Sequence, residues 1–172
     1  HERIHYQCAA AEHLPLADGS ASLMAAAQAA HWFDLPAFYK EARRVAVPGG
    51  VLALISYGVL KLDPPIDALF QRFYRDEIGP YWPAERKLVD SGYATLEFPF
   101  EELAPPRLEI RREWRLAEFL GYLSTWSAVR SAREAGREDI FLDFAQRMAL
   151  AWKDENTPRP IVWPINMRIG KL

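Results

Sequence analysis

Cysteine is almost missing from this sequence: Cys8 stands alone among 172 residues, so no disulfide can close within the chain, and a reducing compartment, the cytoplasm, is the expected location. No charged-then-apolar leader appears, and no apolar run approaches the ~18 residues that a membrane span requires, so membrane insertion is not expected. Neither sign of charge dominates. With 21 Lys and Arg against 23 Asp and Glu, the formal charge of -2 gives no electrostatic reason to hold DNA, RNA or an acidic membrane surface. Histidine is sparse too, and His1, His5, His13 and His31 together with one cysteine match no metal-ligand spacing, so no metal is expected. Internal repeats and low-complexity tracts are absent as well.

What is present is a chain with 50% apolar and 26% charged residues, a composition that suits one soluble globular domain over residues 1–172. Ile4 to Cys8 reads as a short strand, and Pro15 with Asp18-Gly19 marks the loop and turn that follow. The apolar run from Ser22 opens as a buried strand. Asp34 is placed to cap a helix, Pro36 suits its first turn, and Leu35, Phe38, Tyr39 and Ala42 recur at helical spacing, with Lys40, Glu41, Arg43 and Arg44 mostly on the other side. That helix is expected to end near Val47, stopped by Pro48-Gly49-Gly50. Val51 to Ser56 is a continuous apolar run of the kind buried on both faces of a parallel sheet. Strand, helix and strand in this order predict a βαβ crossover, hence an open α/β sheet with helices on both faces.

Beyond it, residues 58–106 are rich in proline and glycine up to Pro105-Pro106 and read as a lid or insertion, with Leu69, Phe70, Phe73 and Tyr74 on one face of an amphipathic stretch. Arg107 to Trp114 alternates as a strand with one wet face. A helical stripe of Leu116, Phe119, Leu120, Leu123 and Trp126 predicts one helix to about Arg133, and Phe141, Phe144, Met148 and Ala151 predict another over Asp139 to Lys153. Ile161 to Ile169 reads as a terminal strand, with Pro164 at a bulge or edge.

The order "AAAEHLPLADGSASLM", "AQAAHWFD", "FYKEARRVAVPGGVLALISY" resembles part of the class I S-adenosylmethionine-dependent methyltransferases, in the type 11 group that includes trans-aconitate methyltransferases. The likeness is strongest over residues 4–57. The later "YWPAERKLVDSGYATLEFPFEEL", "LGYLSTWSAV" and "WPINMRIGK" resemble the substrate-side half of bacterial members of that group. The resemblance implies a Rossmann-like sheet of order 3-2-1-4-5-7-6 with strand 7 antiparallel. Motif by motif, Ile4 to Cys8 falls on strand 3, Leu23 to Ala26 on strand 4, Val51 to Ser56 on strand 5, Arg107 to Trp114 on strand 6, and Ile161 to Ile169 on strand 7. Strands 1 and 2, with the Gly-rich turn that carries the cofactor's methionine and ribose, have no counterpart. The expectation is therefore that more polypeptide precedes His1 or that another chain completes the sheet. Exposed strand edges would then favour a homodimer.

The same resemblance implies S-adenosylmethionine as cofactor, S-adenosylhomocysteine as product and a small-molecule acceptor methylated on a carboxylate or hydroxyl oxygen. It places adenine recognition at Ala10, Ala11 and Glu12, although family members often carry an acidic residue where Ala10 stands and another where Ser22 stands. Gln28 and Ala29, just past strand 4, lie where open α/β sheets bind ligands, or else Gln28 serves core hydrogen bonding. His31 has the chemistry of a general base for an acceptor hydroxyl, and equally that of a helix-entry residue satisfied by backbone. Trp32, Tyr81, Trp82, Tyr122 and Trp126 suit the wall of an acceptor pocket, against the plainer role of core aromatics. Arg72, Arg75 and Arg86 are either anion anchors or solvated charge. A relative that kept the fold and lost the chemistry is the competing function. A nicotinamide-dependent reductase ranks below both.

Overall fold

The computed structural model describes residues 1–172. Its elements in chain order are β1 (Ala21–Ala27), α1 (Leu35–Val45), β2 (Ala46–Tyr57), α2 (Pro64–Arg72), α3 (Arg86–Asp90), β3 (Glu101–Leu103), β4 (Leu108–Trp114), α4 (Leu116–Ser124), α5 (Ser127–Glu134), α6 (Asp139–Trp152) and β5 (Arg159–Lys171). They form two compact units. The first comprises residues 1–57, 87–107 and 165–172, and the second residues 58–86 and 108–164, so the segment 58–106 divides between them after Arg86. No helix is long and apolar enough to cross a membrane.

In the first unit β1 and β2 run parallel, joined by α1, which is the expected crossover. β2 pairs antiparallel with β5, and β5 antiparallel with β3, giving the order β1-β2-β5-β3, while β4 pairs with β5 off this path. The order β1-β2-β5 reproduces the expected neighbours 4-5-7, with strand 7 antiparallel. This is an α/β sheet with the strand neighbours that the resemblance implies. α1 begins as predicted, because the Asp34 carboxylate accepts the Ala37 N–H at 3.2 Å. Its face of Phe38, Tyr39, Ala42 and Val45 is buried, and with Leu52 and Leu54 of β2 and Val89, Tyr93, Leu96 and Phe98 it forms the unit's core.

Three local expectations fail here. Ile4 to Cys8 is exposed and forms no strand, because no other strand offers it a ladder and β1 pairs with β2 alone. α1 ends at Val45 rather than Val47, and Pro48-Gly49-Gly50 is the irregular start of β2. A β-carbon on Gly50 would sit 3.2 Å from the Ala21 carbonyl oxygen, so glycine there lets β2 close on β1. Glu41 is buried rather than on a wet face. Its carboxylate accepts the Leu14 N–H at 2.7 Å and pairs with Arg44 at 2.6 Å, and Arg44 reaches on to Asp18 and to the carbonyls of Leu14 and Leu16. The pair thus fastens the 14–18 loop to α1.

The last part of β5 holds the segment after α3. Arg168 lies 4.7 Å over the Phe98 ring, donates to the Leu96 carbonyl at 2.6 Å and pairs with Glu102. A β-carbon on Gly170 would come within 2.7 Å of both Phe98 and Phe100, so that contact exists because residue 170 has no side chain.

The second unit packs α2, α4, α5 and α6 around aromatic rings. Phe73 stacks on Phe144 at 3.9 Å and Phe119 on Trp152 at 5.7 Å. The single helix expected from Leu116 to Arg133 is broken into α4 and α5. The Thr125 hydroxyl donates to the Tyr122 carbonyl and the Ser124 hydroxyl to the Gly121 carbonyl, both at 2.7 Å, which satisfies the end of α4 before Trp126 turns extended. The amphipathic stretch past Pro65 is α2 followed by a wider turn, closed by Ile78 N–H to the Phe73 carbonyl.

Two outcomes test this packing. Gly170→Ala displaces two phenylalanine rings and is expected to cost about 1–3 kcal/mol in chemical denaturation. The Arg44 guanidinium and the Leu14 N–H hold the Glu41 carboxyl down at about 2 against an ordinary 4.5. A depressed carboxyl stabilises the fold above its unfolded value and ceases to do so as pH falls through the folded one. Thermal melts of Glu41→Gln and the parent are thus expected to differ most near neutrality and to converge as pH falls from about 4.5 towards 2.

Candidate functional site

Parallel strands end with their carbonyls and following loops at one edge of a sheet, and there the first unit gathers its polar side chains. β1 ends at Ala27. Gln28 then donates its backbone N–H to the Ile55 carbonyl at 2.8 Å and turns the chain through a left-handed φ of 51°, a conformation uncommon outside glycine. Its side-chain amide reaches the Tyr57 carbonyl at 3.4 Å, which fixes the other end of the amide, Oε1, as an acceptor that is buried and has no partner. Ala29 begins the single 3-10 turn Ala30–Trp32, whose Ala30 is buried in the core.

His31 follows, half-buried, with its Nδ1 2.9 Å from the Tyr93 hydroxyl and its ring 4.9 Å from that of Trp32. Trp32 itself is 61% exposed. Burial raises the Tyr93 phenol above its ordinary value, and hydrogen bonding from the backbone of His31 and Ala30 works against that rise. The group stays a neutral phenol at physiological pH.

The predicted adenine-reading loop lies against the same part of the chain. Ala10 is exposed and its carbonyl accepts the His13 N–H at 3.1 Å, while Ala11 packs on the core. The Glu12 carboxylate accepts the Asp34 N–H at 3.0 Å, two residues past Trp32. One oxygen of Glu12 is thus engaged in holding the loop to the head of α1. In the first unit, then, Ala10, Ala11, Glu12, Gln28, Ala29, His31 and Trp32 form one neighbourhood.

Tyr93 belongs to it and was not singled out by sequence patterning, because it lies in no periodic element. Gly92 and Tyr93 are successive left-handed residues, with φ of 62° and 64°, and a β-carbon on Gly92 would meet the Asn166 side chain at 2.9 Å. A fully buried tyrosine held in that conformation is a strained position of the kind that accompanies function.

Of the predicted acceptor-wall residues, Trp32 belongs to the first unit and Tyr81, Trp82, Tyr122 and Trp126 lie in the second, where they separate. Trp82, Tyr122 and Trp126 share one aromatic cluster, with Trp126 5.2 Å from Trp82 and 5.8 Å from Tyr122. Arg86 joins them rather than facing solvent: its guanidinium lies 4.7 Å over Trp82 and its Nε donates to the Tyr74 hydroxyl at 2.9 Å. The Trp82 indole nitrogen is buried without a partner. Tyr81 stands apart, in an open groove of about 450 Å³ with Arg72, Glu77, Arg137 and Asp139. Arg72 is paired with Glu77 and Arg137 with Asp139, so the groove's charges largely cancel, and Arg75 is exposed.

The unmet buried acceptor on Gln28 suits a ligand that donates hydrogen bonds, such as the ammonium and ribose hydroxyls of a nucleoside amino acid. The donor set of this chain therefore fits S-adenosylmethionine, with Gln28, Ala29 and the Ala10–Glu12 loop as the residues that would hold it.

Comparison with known proteins gives the same direction. Residues 1–54 match the methyltransferase domain of the type 11 group. A Dictyostelium discoideum protein described as a methyltransferase is 31% identical over 176 aligned residues, covering 99% of this chain and 67% of that protein. The malonyl-[acyl-carrier protein] O-methyltransferase of Dechloromonas aromatica is 51% identical over 47 residues, covering 27% of this chain and 18% of its own length. Among solved structures, one described as a type II methyltransferase from Anaeromyxobacter dehalogenans superposes with a TM-score of 0.91 at 45% identity, over 99% of this chain and 73% of the other. The chain belongs to the class I methyltransferases of the type 11 group, a family that uses S-adenosylmethionine.

Proposed function

We propose that this chain takes part in transferring a methyl group from S-adenosylmethionine to an oxygen of a small-molecule acceptor, a carboxylate or a hydroxyl, in the cytoplasm. The observation that carries the reading is the buried, partnerless Oε1 of Gln28 at the carboxyl end of β1. When bound, S-adenosylmethionine would supply a sulfonium methyl group, whose carbon would bond to an acceptor oxygen in line as its bond to sulfur breaks, the electron pair staying on sulfur as the thioether of S-adenosylhomocysteine. The protein's part in such a displacement is chiefly alignment. Gln28 anchors one donor group of the ligand, the Ala10–Glu12 loop lies beside the nucleoside, and Trp32 offers an apolar face towards the acceptor. That the Dechloromonas relative is named an O-methyltransferase supports oxygen over nitrogen.

One observation favours a second reading, a non-catalytic relative that binds or assembles: Glu12, expected to read adenine, has a carboxylate oxygen committed to Asp34. Methyl transfer to any acceptor seen by mass spectrometry excludes it.

Isothermal calorimetry decides the cofactor. S-adenosylmethionine and S-adenosylhomocysteine are expected to bind at sub-millimolar concentration, and Gln28→Ala to weaken binding about tenfold, with the stability lost through its bond to the Tyr57 carbonyl read separately by thermal melting. Absence of binding by both ligands contradicts the reading.

A further inference from the structure

Two buried polar atoms at the carboxyl ends of β1 and β2 have no partner in the chain, Gln28 Oε1 and Ser56 Oγ. The parallel register of the two strands runs to Ala27 and Ile55, so residues 28 and 56 come next in it, side by side. Ser56 is 1% exposed. On its face of β2 the alternate residues before it, Leu52 and Leu54, are fully buried in the apolar core. An apolar residue at 56 would continue that face, whereas a buried hydroxyl without a partner is destabilising. Asn166 of β5 is the cross-strand partner of Ser56 and turns to the same face, with its side chain in the space that Gly92 leaves open. Gln28, Ser56 and Asn166 thus make a polar row across three adjacent strands at the end of an apolar face.

The chemistry of the two unmet atoms selects what completes them. The Gln28 amide meets the Tyr57 carbonyl, itself an acceptor, so its bonded end is Nε2 and its buried end is an oxygen that can only accept. The Ser56 hydroxyl has a proton to place. A carboxylate accepts from Ser56 and has nothing to give Gln28. An ammonium donates to Gln28 and leaves the Ser56 proton unplaced. A hydroxyl does both through one oxygen. We propose that Ser56 is a second ligand-binding residue, which together with Gln28 holds a hydroxyl group of a bound small molecule: that hydroxyl donates to Gln28 Oε1 and accepts from Ser56 Oγ. The inference rests on the function proposed above and carries its site from β1 onto β2. Nucleoside and acceptor can each bring such a hydroxyl. In an acceptor it is a handle and not the methylated group, because an amide oxygen takes up no proton near neutrality. The acceptor class is then a hydroxy acid, methylated on its carboxylate.

The rest of the chain shows what a serine without such a role does. Ser20, Ser91 and Ser124 each return their proton to a nearby carbonyl, of Ala17, Leu88 and Gly121. Ser56 cannot, because β2 lies between β1 and β5 and its carbonyls are drawn into the two ladders, the Ile55 carbonyl accepting the Gln28 N–H. Gln28 for its part is held at a left-handed φ of 51°, so both members of the pair sit in positions that packing alone does not favour.

Calorimetry on the full chain and its Ser56→Ala variant tests the role in two arms. With S-adenosylhomocysteine as the probe, binding about tenfold weaker in Ser56→Ala assigns the hydroxyl to the nucleoside. The second arm compares malate with succinate, which lacks only the hydroxyl. Unchanged S-adenosylhomocysteine binding, with malate preferred about tenfold by the parent and not by Ser56→Ala, assigns the hydroxyl to the acceptor. If Ser56→Ala changes neither, a buried water satisfies both atoms and the proposal is overturned. Thermal melts without ligand check the premise. The midpoint of Ser56→Ala is expected to be unchanged or higher, since the variant removes an unmet buried hydroxyl. A lowered midpoint means that the hydroxyl is bonded in the free protein, which also overturns the proposal. Malate and succinate are titrated both with and without the nucleoside. Failure of S-adenosylhomocysteine to bind the parent therefore contradicts the function proposed above, while the malate arm still decides the role of Ser56.

Discussion

The geometry of the candidate site depends on how closely the end of β5 grips the chain between Gly92 and Phe100. Gly170 has no side chain, so Phe98 and Phe100 can lie against the strand, and Arg168 passes over Phe98 to reach the Leu96 carbonyl. Gly92 gives the Asn166 side chain its room. Two successive left-handed residues then deliver the Tyr93 hydroxyl to His31. A strand with a methyl group at position 170, or a looser turn at 92, would leave the imidazole without the partner that orients it.

The parallel pair β1 and β2 supplies the other half of the arrangement. The crossover through α1 lets β1 and β2 run parallel, so their carboxyl ends lie at one edge, and Gln28 emerges there with its backbone bonded to Ile55 and its side chain to Tyr57. The loop from Ala10 to Asp18 is tied back onto α1 at two points, Glu12 to the Asp34 N–H and Glu41 with Arg44 to residues 14–18. These ties hold Ala11 against the core. A ligand that needs acceptors on one side and an apolar wall on the other finds both within the stretch from Gln28 to Trp32.

Much of this was legible in the sequence because it obeys short-range rules. Asp34 with Pro36 marked the start of α1, the apolar run at Val51 marked β2, and the alternation before Trp114 marked β4. What was not legible depends on partners far along the chain. Ile4 to Cys8 has a strand's composition and no strand beside it. Glu41 has the look of a solvated helix residue and is buried because Arg44 and Leu14 satisfy its carboxylate. Thr125 ends a helix whose apolar stripe continues, by turning its hydroxyl back on Tyr122. In the site, Gln28 and His31 followed from their place after a buried strand, whereas Tyr93, 62 residues beyond His31, belongs to no periodic pattern and could be found from the fold alone.

The second unit carries its own aromatic cluster, in which Arg86 is held over Trp82 by stacking and by the Tyr74 hydroxyl. The groove beside Tyr81, by contrast, has its charges paired among themselves. Whether the nucleoside ligand engages the first unit is settled most directly by amide chemical-shift mapping during titration with S-adenosylhomocysteine. Shifts concentrated at Ala10–Glu12 and Gln28–Trp32 are predicted; unchanged signals there, with movement confined to the residues around Tyr81 and Trp82, would contradict the assignment of the ligand site to the carboxyl ends of β1 and β2.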